Sequence, residues 1–357
     1  MSSKLEKQAA SQAKILSNVG RQITRRVPPI PAGIDLMGKT TLVTGSNVGL
    51  GLECARHFLS LRASLLIMAV RSLEKGEAAA ANLRAEFPDA KIEVWHLDME
   101  SLRSVQVFAA RCNKSLDRIH VAVLNAALGK FRFERVAEEP RHEVTLQVNY
   151  LSTALLGLLL LPKLKASSAD GQPGRLTFIT SDSSLGADVK DPGDGTSLLD
   201  SLQRADPYSG LEQYATSKLL ITMFAARLAE EVNPEEVIVN SCNPGATRGT
   251  AFLGNMESWA MRMAFHIFFA IAGRRVVDAA RTYVYASVIL GKESHGSYMD
   301  WEIRAWPVTM YTEHGRHMSD KLWSEILKEF RLAVGDEVIA GLGHLSHLGV
   351  GNWNFKV

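Results

Sequence analysis

The segment Thr44-Gly45-Ser46-Asn47-Val48-Gly49-Leu50-Gly51 constrains the fold of this chain more than any other. An apolar run precedes it and an amphipathic run follows it, which is the order strand, glycine turn, helix. Such a turn directs backbone N–H groups and the positive end of a helix dipole at one point, which suits a phosphate. Gly45 would make the turn, Gly49 would let a pyrophosphate approach the backbone, and Gly51 would let the helix pack on the strand. An ordinary strand–helix turn is the alternative that glycine spacing alone leaves open.

Apolar and amphipathic runs keep alternating after this turn. We expect strands at 40–44, 63–70, 91–97, 119–124, 175–180, 237–242 and 297–302. We expect helices at 48–61, 73–87, 101–116, 141–165, 211–232, 274–290 and 320–332. Strands that alternate with helices of this length indicate an α/β fold with a doubly wound parallel sheet and right-handed crossovers.

The composition of the chain argues against several classes of function. A net charge of +2 over 357 residues gives no reason to expect nucleic-acid binding. Cys54, Cys112 and Cys242 are too far apart for a disulfide framework or a metal cluster, so we expect no metal and a reducing, cytoplasmic setting. Residues 1–22 lack the apolar centre of a signal peptide, and no clean apolar run reaches the about 20 residues that span a bilayer. We therefore expect no transmembrane segment.

The first 26 residues carry six basic side chains and one acidic side chain. Pro28, Pro29 and Pro31 follow and prevent a continuous helix there. We expect a solvated arm at 1–35, and a targeting or membrane-surface role is the alternative.

The end of the second strand bears on the choice of nucleotide. A fold that prefers NAD usually places a carboxylate there, about 20 residues past the glycine turn, to bind the ribose hydroxyls. This chain has the apolar Val70 followed by Arg71, and Lys75 lies one helical turn further on. A guanidinium at that position would bind the 2′-phosphate of NADP with bidentate geometry. We predict NADP(H) as the cofactor; the alternative is that Arg71 only begins a surface helix.

A second polar motif is Tyr214-Ala215-Thr216-Ser217-Lys218. Tyr214 and Lys218 are four positions apart and share one face of a helix. A free tyrosine has a pKa of about 10, too high for acid–base work near neutrality, and a neighbouring ammonium favours the phenolate. We expect Lys218 to lower the pKa of Tyr214, although a chance helical pair has the same spacing.

Taken together, these motifs resemble the short-chain dehydrogenase/reductase family over residues 36–250. The resemblance rests on TGSNVGLG at 44–51 and YATSK at 214–218. It also rests on polar residues that follow the strands or lie in the long helix: Asp98, Asn125-Ala126-Ala127, Asn149, Ser181 and Asn243-Pro244-Gly245. The stretch 69–76 is similar to the NADP-using retinol-dehydrogenase-like branch, and 293–298 is similar to its fungal members.

The resemblance implies four catalytic residues. Tyr214 would be the general acid that protonates a carbonyl oxygen, and the base in the reverse reaction. Lys218 would lower the pKa of Tyr214 and hold the nicotinamide ribose. Ser181 would hydrogen-bond the reacting oxygen, and Asn149 would hold a water in a proton relay to Lys218. The alternatives are that Ser181 is a loop hydroxyl and that Asn149 is a structural polar group in a helix.

The resemblance also implies the cofactor-binding residues. They are Gly45, Asn47, Gly49, Leu50, Gly51, Arg71, Lys75, Asp98, Asn125, Tyr214, Lys218 and Thr247. Asp98 would contact the adenine, Asn125 would steady the sheet beside the cofactor, and Thr247 would bind the carboxamide. A helix N-cap is the alternative for Asp98.

The chain departs from the family pattern at several positions. Ala127 stands where the family usually has glycine, close to the cofactor. Ser183 lies close behind Ser181 and is an alternative for the working hydroxyl. Thr250 is an alternative to Thr247.

The resemblance divides the chain around a single Rossmann-type domain at 36–305, with a C-terminal extension at 306–357. Within the domain, an insertion at 182–210 would shape the substrate entrance and a helical substrate lid would cover about 250–273. The lid region is rich in large apolar side chains: Trp259, Met263, Phe265, Phe268 and Phe269. A core-packing helix and an amphipathic helix that rests on a membrane are the alternatives.

We therefore predict an NADP(H)-dependent oxidoreductase that interconverts a ketone or aldehyde and an alcohol on a hydrophobic small molecule. In a fungus this would be a step of secondary metabolism. The alternatives are a non-catalytic NADP-sensing protein with the same fold and a membrane-surface reductase of the retinol or lipid type. A homodimer is left open, because family members often use the helices at 141–165 and 211–232 for dimer contacts, while packing on the sheet explains their apolar character equally well.

Overall fold

The computed structural model describes residues 1–137, 142–193, 195–249 and 259–334. The described strands are β1 Thr40–Thr44, β2 Leu65–Val70, β3 Lys91–His96, β4 Val121–Leu124, β5 Gly174–Ile179, β6 Val237–Cys242, β7 Tyr298–Met299 and β8 Ile303–Arg304. They form one sheet in the order β3-β2-β1-β4-β5-β6-β7-β8, in which β8 pairs antiparallel with β7 and the other pairs are parallel. The doubly wound parallel sheet is confirmed. Its strand order reverses between β1 and β4, and that is where such sheets open a ligand crevice at their carboxyl edge.

The described α-helices are α1 Glu6–Gln12, α2 Ile15–Thr24, α3 Gly49–Ser60, α4 Leu73–Glu86, α5 Leu102–Ser115, α6 Val144–Leu146, α7 Thr153–Lys165, α8 Leu198–Ser201, α9 Gly210–Glu231, α10 Trp259–Ala272, α11 Val276–Val284 and α12 Glu313–Val334. Two π-helical turns, Gln147–Ser152 and Tyr285–Ile289, interrupt the helices expected at 141–165 and 274–290. Serine side chains that accept the N–H three residues on begin α4, α5 and α9, at Ser72, Ser101 and Ser209.

The core has a layer on each face of the sheet. Helices α3, α4 and α11 contribute side chains such as Phe58, Leu83 and Tyr283 to one layer. Helices α5, α7, α9 and α12 contribute the other, with Phe108 and Leu155 among its fully or nearly fully buried members. Each large apolar side chain buried in this way stabilises the fold by about 1.5–3 kcal/mol before the entropy cost.

One described helical stretch, Val144–Ala169, is long and apolar enough to cross a bilayer, and its apolar window is wholly buried inside the fold. A helix that is apolar on all sides suits burial on all sides. It contacts α5, α9 and β5. Packing within the chain therefore explains the apolar character that also suggested a dimer contact.

Helix α12 lies in the segment expected as a C-terminal extension, and it packs into the core layer that also contains α5, α7 and α9. This helix starts seven residues earlier than expected and places six side chains in the core: Met318, Leu322, Trp323, Ile326, Leu327 and Phe330. The carboxylate of Glu325 accepts the Ser197 hydroxyl at 2.9 Å and the N–H groups of Leu198 and Leu199 at 2.9 and 2.8 Å. The insertion at 182–210 is therefore attached to the body of the protein by α12.

The N-terminal arm is only partly solvated: most of its residues are exposed, but it is also docked on the body of the protein, which was not expected. The Ser2 side chain is completely buried, and its hydroxyl donates to the carbonyl of Arg304 at 2.5 Å and accepts the N–H of Tyr298 at 3.0 Å. The guanidinium of Arg21 pairs with Asp300 at 2.9 Å and with Glu302 at 2.8 Å. The arm docks because its polar side chains form hydrogen bonds and ion pairs with the β7–β8 hairpin. The hairpin is about 300 residues away in sequence, so no local pattern predicts these contacts.

Candidate active site

The glycine turn follows β1 and leads into α3. Gly45 and Gly49 have φ of +65° and +58°, a region that favours glycine. A Cβ placed on Gly51 would lie 2.4 Å from the carbonyl oxygen of Gly45, so any larger residue would push the helix off the strand. The turn is closed by the Ser46 hydroxyl, which donates to the carbonyl of Val43 at 3.0 Å.

The N-terminus of α3 differs from those of α4, α5 and α9, because no side chain caps it. The N-cap residue is Val48, whose exposed fraction is 59%. The first N–H groups of a helix lack partners inside the helix, so they are available to an anion here. A Cβ on Gly49 would meet nothing within 4 Å, so the turn is open on that side, next to the half-buried Asn47 and Leu50. These residues fit the pyrophosphate of a dinucleotide.

Asn125 ties this turn to the end of β4. Its Nδ2 donates to the carbonyls of Thr44 and Gly45 at 2.9 and 3.3 Å, and its Oδ1 accepts the Tyr283 hydroxyl at 3.1 Å. The next N–H, from Ala126, donates to the Thr44 hydroxyl at 2.9 Å. Hydrogen bonds therefore join the glycine turn after β1 to the end of β4.

Arg71 lies just past the buried end of β2. Its side chain is 65% exposed and its guanidinium contacts the carboxylate of Glu100 at 2.6 Å. Ser72 is the N-cap of α4, so Arg71 precedes that helix and does not begin it. Lys75 is exposed in the first turn of α4. Two cationic side chains thus stand at this end of the crevice.

Asp98 follows β3, and its Oδ1 accepts the N–H of Glu100 at 2.9 Å. The N-cap of α5 is Ser101, whose hydroxyl accepts the N–H of Ser104. The alternative reading of Asp98 as a helix N-cap was therefore wrong, and the carboxylate lies half-buried at the carboxyl edge of the sheet.

Ser181 follows β5 and contacts the motif on α9. A hydrogen bond joins its hydroxyl to the Tyr214 phenol. The Ser181 hydroxyl also accepts the N–H of Ser183 at 3.3 Å, and Ser183 itself is exposed. Of the two serines, the structure brings Ser181 to the tyrosine.

Lys218 lies one helical turn beyond Tyr214 and is 3% exposed. Its ammonium donates to the carbonyl of Ile179 at 2.9 Å and lies 5.7 Å from the centroid of the Tyr214 ring. The end of β5 is fixed to the same helix by Thr180, whose hydroxyl donates to the carbonyl of Lys218 at 3.0 Å. The serine, the tyrosine and the lysine therefore form one group, in which Lys218 is buried and Ser181 and Tyr214 are half-buried.

Burial shifts the pKa values of both Lys218 and Tyr214. It lowers the pKa of Lys218 to about 7. It raises the pKa of Tyr214 to about 12, while the hydrogen bond from Ser181 acts in the opposite direction. The expected lowering of the Tyr214 pKa by Lys218 is not observed, because removal from water disfavours the ammonium and the phenolate alike. At neutral pH the phenol carries its proton.

Asn149 lies in the π-helical turn before α7. Its Nδ2 donates to the carbonyl of Leu128 at 2.8 Å and to the Ser217 hydroxyl at 3.0 Å, and its Oδ1 accepts the N–H of Leu128 at 2.9 Å. The Ser217 hydroxyl in turn donates to the carbonyl of Tyr214 at 2.8 Å. The amide of Asn149 thus connects the loop after β4 to the helix that carries the tyrosine.

Sequence reasoning missed Asp182. Its Oδ1 accepts the Nδ2 of Asn243 at 2.6 Å and the Tyr298 hydroxyl at 3.3 Å. It therefore ties the Ser181 loop to the turn after β6 and to β7. Its position directly after Ser181 is the one signal that the sequence offers.

Thr247 lies in the same turn after β6. It is 3% exposed, and its hydroxyl donates to the carbonyl of Gly245 at 3.0 Å. Thr250, the alternative, lies outside the described residues, as does the lid region before α10.

Comparison with known proteins identifies the family of this chain. The sequence profile of the short chain dehydrogenase family matches residues 39–189 and 199–260. The short chain dehydrogenase virL of Hypocrea virens is 43% identical over 96% of this chain and 99% of its own length. The short chain dehydrogenase opdN of Penicillium oxalicum is 44% identical over 83% of this chain and 97% of its own.

Solved structures show the same fold. The NADPH-bound short chain oxidoreductase of Pseudomonas aeruginosa PAO1 is 20% identical, with a TM-score of 0.56 over 74% of this chain and 96% of its own. The short chain dehydrogenase of Shigella flexneri is 22% identical, with a TM-score of 0.56 over 76% of this chain and 94% of its own. The chain therefore belongs to the short chain dehydrogenase family and is an oxidoreductase of the kind that uses a nicotinamide cofactor.

Proposed function

We propose that this protein is an NADP(H)-dependent oxidoreductase that interconverts a ketone or aldehyde and an alcohol on a hydrophobic small molecule. The observation that carries the proposal is the group of Ser181, Tyr214 and Lys218 at the carboxyl edge of β5. The uncapped N-terminus of α3 lies at the same edge of the sheet. A proton donor and a pyrophosphate site therefore share one crevice.

The residues divide the reaction between them. The bound cofactor supplies the hydride that the carbonyl carbon accepts. Tyr214 donates the proton that the carbonyl oxygen takes up, which completes the alcohol, and a phenol that is protonated at neutral pH is ready for that step. Ser181 orients the reacting oxygen through the hydroxyl that also contacts Tyr214. Lys218 would hold the ribose hydroxyls of a bound cofactor, and its pKa of about 7 lets it return a proton to the tyrosine.

The preference for NADP over NAD rests on the end of β2. Arg71 and Lys75 are cationic and exposed there, and Val70 stands at the end of β2, where a fold that prefers NAD usually carries a carboxylate. Glu100 already contacts Arg71, so a 2′-phosphate must share or displace that partner. The NADPH in the structure from Pseudomonas aeruginosa supports the same preference by analogy.

The substrate class rests on the proposed lid. The aromatic rings of Phe268 and Phe269 on α10 lie 5.4 Å apart and are half-buried. Such a surface suits a bulky apolar molecule. Two fungal relatives at 43% and 44% identity support a step of fungal secondary metabolism.

NADPH oxidation over a panel of hydrophobic ketones tests the proposal. Tyr214→Phe should lower turnover by about 10²–10⁴-fold, because the proton donor is lost. The matched control is Tyr285→Phe, which removes a hydroxyl that donates to the carbonyl of Pro29 at 2.9 Å, and it should keep full turnover. NADPH affinity, measured by fluorescence titration, should stay the same in both variants.

Full turnover in Tyr214→Phe would contradict the mechanism. A wild-type protein that binds NADPH but oxidises it with none of the ketones would favour the non-catalytic sensor instead.

A further inference from the structure

An ordinary surface helix turns its apolar side towards the protein, and helix α2 has the opposite orientation. Its polar side faces the protein: Arg21 pairs with Asp300 and Glu302, and Gln22 donates to the carbonyl of Ala246 at 2.6 Å. Its apolar side faces outward, where Ile15, Leu16 and Ile23 are 78%, 86% and 56% exposed. These three positions fall within about 100° of arc on a helical wheel. The helix buries no apolar side chain, so core packing does not explain its apolar stripe.

Helix α10 also exposes a line of apolar side chains. Trp259, Met263, Ile267 and Ile271 follow at intervals of four and are 72%, 52%, 54% and 70% exposed. The helix contacts α2. Seven of the thirteen large apolar side chains that are exposed in the described chain therefore lie on these two adjacent helices. We call these seven residues the α2–α10 surface: Ile15, Leu16, Ile23, Trp259, Met263, Ile267 and Ile271.

Positive charge borders this surface. Lys14 is the N-cap of α2, and Arg25 and Arg26 follow its end; all three are exposed. Arg25 pairs with Glu302, whereas Lys14 and Arg26 form no ion pair in the described part of the chain. An apolar stripe bordered by basic side chains, with a tryptophan at one end, is the pattern of a helix that lies in a membrane interface.

We propose that the α2–α10 surface docks on an anionic lipid bilayer. The two helices are about 15 and 21 Å long, so a small substrate would cover only part of the surface. A second copy of the chain would bring a like-charged border against this one, which opposes a symmetric dimer. Acidic lipid headgroups complement the border, and the acyl region accepts the apolar side chains. The ion pairs of Arg21 hold α2 with its apolar side outward.

Vesicle flotation of the full chain tests this proposal. The protein should float with vesicles of phosphatidylcholine and about 30% phosphatidylserine, and binding should fall at least tenfold with pure phosphatidylcholine or in about 0.5 M salt. Leu16→Asp combined with Ile23→Asp should weaken flotation by at least about tenfold, since both side chains would enter the acyl boundary. Ile267→Asp should do the same from the other helix.

The matched control is Met37→Asp combined with Val107→Asp. These side chains are 59% and 61% exposed, lie outside the α2–α10 surface, and should leave flotation unchanged. Thermal unfolding and NADPH titration of the Leu16 and Ile23 variant should match the wild type. If that variant fails to fold, Lys14→Glu combined with Arg26→Glu provides the second test, and it should remove the preference for acidic vesicles.

Failure of the wild type to float with any vesicle would overturn the proposal. So would unchanged flotation of the folded surface variants. A third outcome would assign the surface to self-association instead. In that case light scattering would show a wild-type dimer and a monomer for the Leu16 and Ile23 variant, and neither protein would bind vesicles.

Discussion

The two halves of the crevice are built differently. Around β5, β6 and α9 the polar groups are buried and bonded to the protein: Lys218 is 3% exposed and Asn149 is 1% exposed. At the end of β2 the cationic side chains stand in solvent: Lys75 is exposed, and the side chain of Arg71 is 65% exposed. The proposed catalytic half is therefore pre-organised by the fold, whereas the proposed nucleotide half would recognise charge through exposed side chains.

This difference has an energetic consequence. Burial lowers the pKa of Lys218, which opposes folding at neutral pH because the unfolded lysine is charged there. An exposed ion pair such as that of Arg71 and Glu100 contributes little, about 0–1 kcal/mol. Replacement of Lys218 should therefore change activity and stability in opposite directions, while replacement of Arg71 should change binding alone.

The largest effect is expected for Lys218→Met. Turnover should fall by about 10²–10⁴-fold, because the lysine assists the proton donor. Stability should rise at neutral pH by about 2–4 kcal/mol, because the pKa of Lys218 is about 7 in the folded chain against 10.5 for an ordinary lysine. Urea unfolding of both proteins at a series of pH values measures this.

The sign of the pH dependence is fixed by that lowered pKa. Between pH 7 and 10.5 the unfolded chain binds more protons at this lysine than the folded chain does, so wild-type stability rises with pH in that window. The advantage of Lys218→Met should therefore be greatest at or below pH 7 and shrink towards pH 10. A difference that stays constant across this range would show that Lys218 is not buried as described.

Gly51→Ala should have the next largest effect, on stability. The added Cβ would lie 2.4 Å from the carbonyl oxygen of Gly45, and overpacking of this kind costs about 1–3 kcal/mol. Gly186→Ala is the matched control, because a Cβ there would meet nothing within 4 Å. Equal denaturation midpoints for the two variants would mean that α3 does not pack on the turn as tightly as the structure shows.

The smallest effect is expected for Arg71→Ala. The dissociation constant for NADPH should rise about 3–10-fold and that for NADH should barely change, since an exposed guanidinium loses part of its effect to solvent. Glu100→Gln should strengthen NADPH binding slightly, because it removes the competing carboxylate at 2.6 Å. Parallel fluorescence titrations of the two nucleotides measure both changes. Equal losses for NADPH and NADH would assign Arg71 a general electrostatic role.

Local patterns predicted the elements that position the site. The strands at 40–44 and 237–242 were predicted with the bounds that the structure has, because apolar runs between turn residues carry their own signal. The tyrosine–lysine pair was predictable as well, since one helix fixes its spacing. The direction of the Tyr214 pKa shift was not, because it depends on how completely α9 and the loop after β5 exclude water.

Contacts between distant segments account for the points at which the structure differs from the predictions. The arm was expected to be solvated, yet Ser2 is buried against Arg304 and Tyr298. The role of Asp182 likewise depends on Asn243, which is 61 positions away. The sequence does not indicate whether a hydroxyl or carboxylate will bond to water or to a distant part of the chain.

The sequence by itself determined the order of strands and helices, the glycine turn and the family, because each depends on residues that are neighbours along the chain. The tertiary structure alone decided which side of α2 faces outward and how α12 joins the core. It also decided which protonation states the buried pair adopts. These features depend on burial, and burial is a property of the whole fold.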